Sequence, residues 1–128
     1  MDMGNLAVLT LDEAVRLDAG RMGDIVDELG ETAAQNVIGV ALEQLAHALA
    51  EARRAAMAGE MARLVAQADL LSRLAWQMGL VSLAGVAVDV GACADRRDAT
   101  ALGATLARLM RVGNRSLTQI WDDGPMGP

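Results

Sequence analysis

Apolar positions recur at three- and four-residue steps along most of the chain, and this period divides it into helices. Between Gly59 and Leu80, the residues Leu64, Ala68, Leu71, Leu74, Ala75 and Met78 share one face of a helix. Gly79 closes that helix. Asp69 falls well away from the apolar stripe, and Val65, Ser72, Arg73 and Trp76 share its outward face. Upstream, Val37, Ile38, Ala41, Leu42, Leu45, Leu49, Ala52 and Ala56 form a longer stripe, which predicts a helix over Glu31–Ala58. Only Gly59-Glu60 separates the two, so they are expected to pack as an antiparallel hairpin. Downstream, Leu83, Val86, Ala87 and Val90 predict a helix from near Ser82, with Cys93 or Ala94 in its last turn. Asp95-Arg96-Arg97-Asp98 reads as a solvated turn in which Asp98 caps the next helix. Leu102, Leu106, Leu109, Val112, Leu117 and Ile120 face inward from that last helix, which ends by Trp121.

The N-terminal third is less regular. Thr10 and Glu13 have the spacing of a capping box, so a short helix is expected to follow. Gly20 and Gly23 should break or bend it before it resumes over Asp24–Leu29. Leu17, Ile25, Val26 and Leu29 would then face inward, as a lid across one end. Residues 1–9 and 122–128 offer little to pack and are expected to be loose. The pattern as a whole predicts an all-α fold: an antiparallel four-helix bundle with an N-terminal helical extension, a single domain over 1–128.

Composition sharpens this reading. Hydrophobic residues make up 53% of the chain, yet there is no Phe or Tyr and only two Trp, so Leu, Val, Ala and Met must fill the core. The net charge of −6 and the absence of a basic stripe argue against nucleic acid as a partner. Every cation is an arginine. The single cysteine excludes an internal disulfide and fits a reducing compartment. No apolar run is long enough to span a membrane and the N-terminus lacks a secretion-signal pattern, so the expected location is cytoplasmic.

One stretch carries a family resemblance. Gly59-Glu60 precedes the helix, Leu71, Ala75 and Gly79-Leu80 lie within or just beyond it, and Leu83-Ala84 follow it. In this arrangement the chain resembles histidine-containing phosphotransfer (HPt) domains over about residues 21–121. That family's signature reads roughly H-x-L-K-G-x-A-x-x-x-G-L. The resemblance implies a helical module of a two-component phosphorelay whose partner is a response-regulator receiver domain or a histidine kinase. It also places Asp69 at the position of the phosphorylated histidine, Ser72 at the family's lysine and Arg73 at its glycine. The scaffold positions match and the chemical positions do not.

Asp69 has no imidazole nitrogen with which to attack an aspartyl phosphate. A carboxylate can itself be phosphorylated, but this needs an acidic, Mg²⁺-holding pocket of which the helix gives no sign. Its charge can instead resemble that of phosphohistidine, or it is an ordinary exposed Asp. His47 is the only histidine. It lies two residues from the inward Leu45 and between Glu43 and Glu51, carboxylates that would repel a phosphoryl donor, so it reads as a solvated side chain. Arg73 can meet an acidic partner or pair with Asp69 along its own helix. Trp76 is either an interface anchor or half-covered by the N-terminal extension. Cys93 reads as a small buried apolar residue. No metal-ligand set, cofactor motif or catalytic constellation is present in the sequence, so no enzyme activity, metal or cofactor is expected.

The expected function is binding. The face made by Val65, Asp69, Ser72, Arg73 and Trp76, with part of the Glu31–Ala58 helix, would dock on a receiver without exchanging phosphate. Two alternatives stand beside it. One is an active carrier using His47 or a site in a different register. The other is a structural homodimer that buries Trp76 and Val65. The chain is accordingly expected to be a monomer or a weak homodimer.

Overall fold

The computed structural model describes residues 15–123. Among them the chain is all-helical and contains no strand: α1 Ala19–Leu29, α2 Glu31–Met57, α3 Met61–Gln77, α4 Val81–Asp95 and α5 Ala99–Asp123. The Thr10–Glu13 capping box and the expected loose ends at 1–9 and 124–128 lie outside the described residues. Asp122 and Asp123, expected to be loose, continue α5.

Helix contacts follow chain order. α2 packs on α3, α3 on α4 and α4 on α5, while α5 returns to α2 through a narrower contact and α1 lies against α2. Leu64, Ala68, Leu71 and Ala75 of α3 are all buried, at the spacing that the apolar pattern predicts. They meet Ile38, Leu45, Leu49 and Ala52 of α2 and Leu83, Val86, Ala87 and Val90 of α4 in one aliphatic core. Small residues let α3 and α4 approach closely: a β-carbon placed on Gly91 would sit 3.5 Å from that of Ala68. Gly113 does the same for α5, where a β-carbon would come within 2.8 Å of the Leu49 methyls.

The three links between α2 and α5 share one construction. The amide of Glu60 bonds the carbonyl of Ala55 at 2.9 Å, Leu80 bonds Ala75 at 2.8 Å, and Asp98 bonds Cys93 at 3.1 Å. Each is the six-to-one bond of a Schellman closure, which satisfies a carbonyl left free at a helix end. The residue before each donor has positive φ, and it is glycine at 59 and 79 but Arg97, φ 56°, at the third. Asp98 then caps α5 as expected, its Oδ1 accepting from the amide of Ala101 at 3.1 Å.

The N-terminal region departs from expectation. Gly20 and Gly23 do not break α1, because Asp18 caps it from outside, accepting the amide of Arg21 at 3.3 Å. Gly20 lies in the capped first turn, and Gly23, the fifth residue, sits inside the helix without ending it. The chain instead turns at Gly30, whose φ of 81° and ψ of 164° belong to a region that glycine alone occupies readily. Ile25 is buried, and Leu17 and Val26 pack against the core, but Leu29 is exposed. Val37 is likewise exposed rather than inward, on the wall of a shallow cavity that residues of α1, α2 and α3 share.

Residues 15–18 clamp the corner between α3 and α4. The amide of Asp18 donates to the carbonyl of Gly79 at 2.7 Å. The amide of Arg16 donates to Ser82 Oγ at 2.7 Å, and the amide of Ser82 donates back to the carbonyl of Arg16 at 3.3 Å. Arg21 Nε adds a bond to the carbonyl of Gln77 at 2.7 Å.

Candidate functional site

The outward ridge of α3 holds the residues that the sequence singles out, and they divide into two groups. Asp69, Arg73 and Trp76 are exposed. Val65 and Ser72 are half-buried: Val65 packs against the core, and the Ser72 hydroxyl donates to the carbonyl of Asp69 at 2.9 Å. A serine that bonds back to its own helix offers a partner little. The presented group is therefore a carboxylate, a guanidinium and an indole.

Arg73 Nε lies 3.1 Å from Asp69 Oδ2, with both side chains 65% exposed. At that exposure the pair contributes roughly 0.3–0.5 kcal/mol to the helix, so either partner is easily drawn to a stronger one. Trp76 is 67% exposed, not half-covered. It borders a shallow cavity of about 560 Å³ between α3 and α4, lined also by Arg16, Ser72, Arg73, Gln77, Val81, Ala84, Gly85 and Val88. Val88 is 59% exposed. Trp76 and Val88 thus form the two sides of an apolar trough rimmed by arginine.

Val88 and Arg16 were not singled out by the sequence reading. A signal for Val88 was present, since Val81, Leu83, Ala84, Val86, Ala87, Val88 and Val90 leave α4 apolar nearly all round. A helix of that kind buries only as many sides as it has neighbours. Arg16 carried no such signal, because its place depends on the clamp at Ser82.

His47 is exposed on α2 and does not line the trough. Glu51, one of its flanking carboxylates, pairs with Arg54. Cys93 is a free, buried cysteine whose Sγ lies 3.7 Å from Thr105 Oγ1 and 3.7 Å from Arg96 Nη2. Among the described residues no group of three His, Cys, Asp or Glu side chains converges as a metal site. Among them, too, no helix is long and apolar enough to cross a membrane. No protein-family model, curated protein or solved structure matches the chain.

Proposed function

We propose that the chain is an HPt-like signalling module that lacks a transferable histidine and acts by docking on a response-regulator receiver domain. In this reading α2 to α5 are the antiparallel four-helix bundle of such a module and α1 is its N-terminal extension. The short links and the sequential packing of these helices support that arrangement. The observation that carries the proposal is Trp76. It stands exposed one turn beyond the Asp69–Arg73 pair, on the helix where the family resemblance places the phosphorylated residue.

Buried aromatic anchors dominate the energetics of interfaces, and an indole already seated beside apolar Val81 and Val88 loses little side-chain freedom when a partner covers it. Asp69 supplies a fixed negative charge with no phosphoryl acceptor, and Arg73 supplies a cation for an acidic partner surface. A module of this type sequesters or modulates its receiver.

The test is a panel of purified receivers from the source organism, each assayed for binding and for transfer of radiolabelled phosphate. The expected result is one receiver that binds and transfers no label. Trp76→Ala should weaken that binding by about 2 kcal/mol, or roughly thirtyfold. Equal binding by Trp76→Ala would remove the proposed face. Label transfer abolished by His47→Ala would instead assign an active carrier. Self-association lost in Trp76→Ala would give the trough to a second copy of the chain.

A further inference from the structure

A second apolar surface lies on the other flank of α3. Ile25 and Leu29 of α1, Val37 and Val40 of α2, Leu74 of α3 and Met78 just beyond it line a shallow cavity of about 650 Å³. Leu29, Val37 and Val40 are 47%, 47% and 54% exposed. Asn36 and Gln44 line the same cavity, so one stripe of α2 runs along it. That stripe is about 12 Å long, a little over two helical turns. A docked helix needs this length to seat anchors at successive i, i+3 or i+4, and i+7 positions.

Charge decides which occupant fits. From Met22 to Ala52 the chain carries Asp24, Asp27, Glu28, Glu31, Glu43 and Glu51 and has no Lys or Arg. All of these but Glu51 are exposed, and Glu28 lines the cavity itself. The one arginine in the lining, Arg21, directs its Nε–H to the carbonyl of Gln77. The net charge of the whole chain is −6, and the stretch from Met22 to Ala52 alone carries six carboxylates.

We propose that this groove docks a cationic amphipathic helix of a partner protein. Its aliphatic side chains enter the cavity between Val37, Val40 and Leu74, and its Lys or Arg side chains meet the carboxylates of α1 and α2. A second copy of the chain is the poorer occupant, because a two-fold pairing sets acidic face against acidic face. The inference stands apart from the receiver reading, since it uses neither Asp69 nor Trp76.

Fluorescence anisotropy with three labelled peptides tests it. The first is an amphipathic Leu/Lys helix of about five turns, the second its Leu/Glu counterpart, and the third a Leu/Lys peptide of scrambled order with no helical period. The full chain should bind the first peptide saturably at one to one, and added salt should weaken the complex. Val40→Arg, at an exposed position, should weaken it at least about tenfold. Glu28→Lys, also at an exposed site, should act in the same direction, and Trp76→Ala should leave it unchanged. Equal binding of the Leu/Glu or the scrambled peptide overturns the proposal. So does wild-type affinity in both Val40→Arg and Glu28→Lys. A wild-type dimer in sedimentation that Val40→Arg dissociates would give the groove to a second copy and overturn it as well.

Discussion

Arg97 occupies the place where the two equivalent links of the chain carry glycine. With φ at 56°, its β-carbon crowds the backbone, which costs an L-residue about 1–2 kcal/mol. Its exposed side chain makes no contribution to the core. Arg97→Gly should therefore raise the unfolding free energy by about 1 kcal/mol, read as an increased urea midpoint at unchanged slope. The greater freedom of glycine in the unfolded chain offsets part of the gain. An unchanged or lower midpoint would show that the arginine holds its turn by something other than backbone geometry. Trp76 is the contrasting case at this scale. Its exposure means that Trp76→Ala should leave the unfolding free energy within about 0.5 kcal/mol of wild type, so any loss of binding is a loss of contact and not of fold.

At the scale of elements, the apolar period located α2 to α5, and most of their inward residues followed from it, whereas α1 runs unbroken through the glycines expected to interrupt it. Leu64, Leu71, Leu83, Val90, Leu109 and Val112 are all buried where the pattern places them. The misses lie where burial depends on which neighbour is present. Val37 has the same spacing as its buried neighbours but stands 47% exposed in the open cavity lined by α1, α2 and α3. Ser116 is the reverse case, a polar residue at 0% exposure whose Oγ has no hydrogen-bond partner among the described residues. Its position, four residues from both Val112 and Ile120, puts it on the inward stripe, and only its hydroxyl hides it from an apolar pattern. The candidate site was legible on α3, where a single helix sets the outward direction of Asp69, Arg73 and Trp76. The α4 wall of the trough was not, because it needs the packing of two helices. The clamp at residues 15–18 was equally hidden, and it explains Gly79. A β-carbon there would meet the carbonyl oxygen of Asp18 at 2.9 Å, in addition to the strain of φ 76°. Gly79→Ala should lower stability by about 2 kcal/mol or more, seen as a reduced urea midpoint.

For the whole molecule, the broad helix contacts join elements that are consecutive in the chain. Three links of Schellman type reverse into the next helix almost at once, so little loop entropy opposes their pairing. A domain so dominated by local contacts should fold in milliseconds or less. The return of α5 to α2 and the bonds of the clamp are the exceptions, that between Arg16 and Ser82 spanning 66 residues. That ring encloses α1, α2 and α3, and its closure gains a few exposed hydrogen bonds with the packing of Val15 and Leu17. Residues 15–18 should accordingly be unformed at the rate-limiting barrier. Stopped-flow chevrons of Gly79→Ala should show a steeper penalty on the unfolding arm than on the folding arm, with a φ-value below about 0.3. The clamp would then govern how long the folded chain lasts, while leaving almost untouched how quickly it is reached.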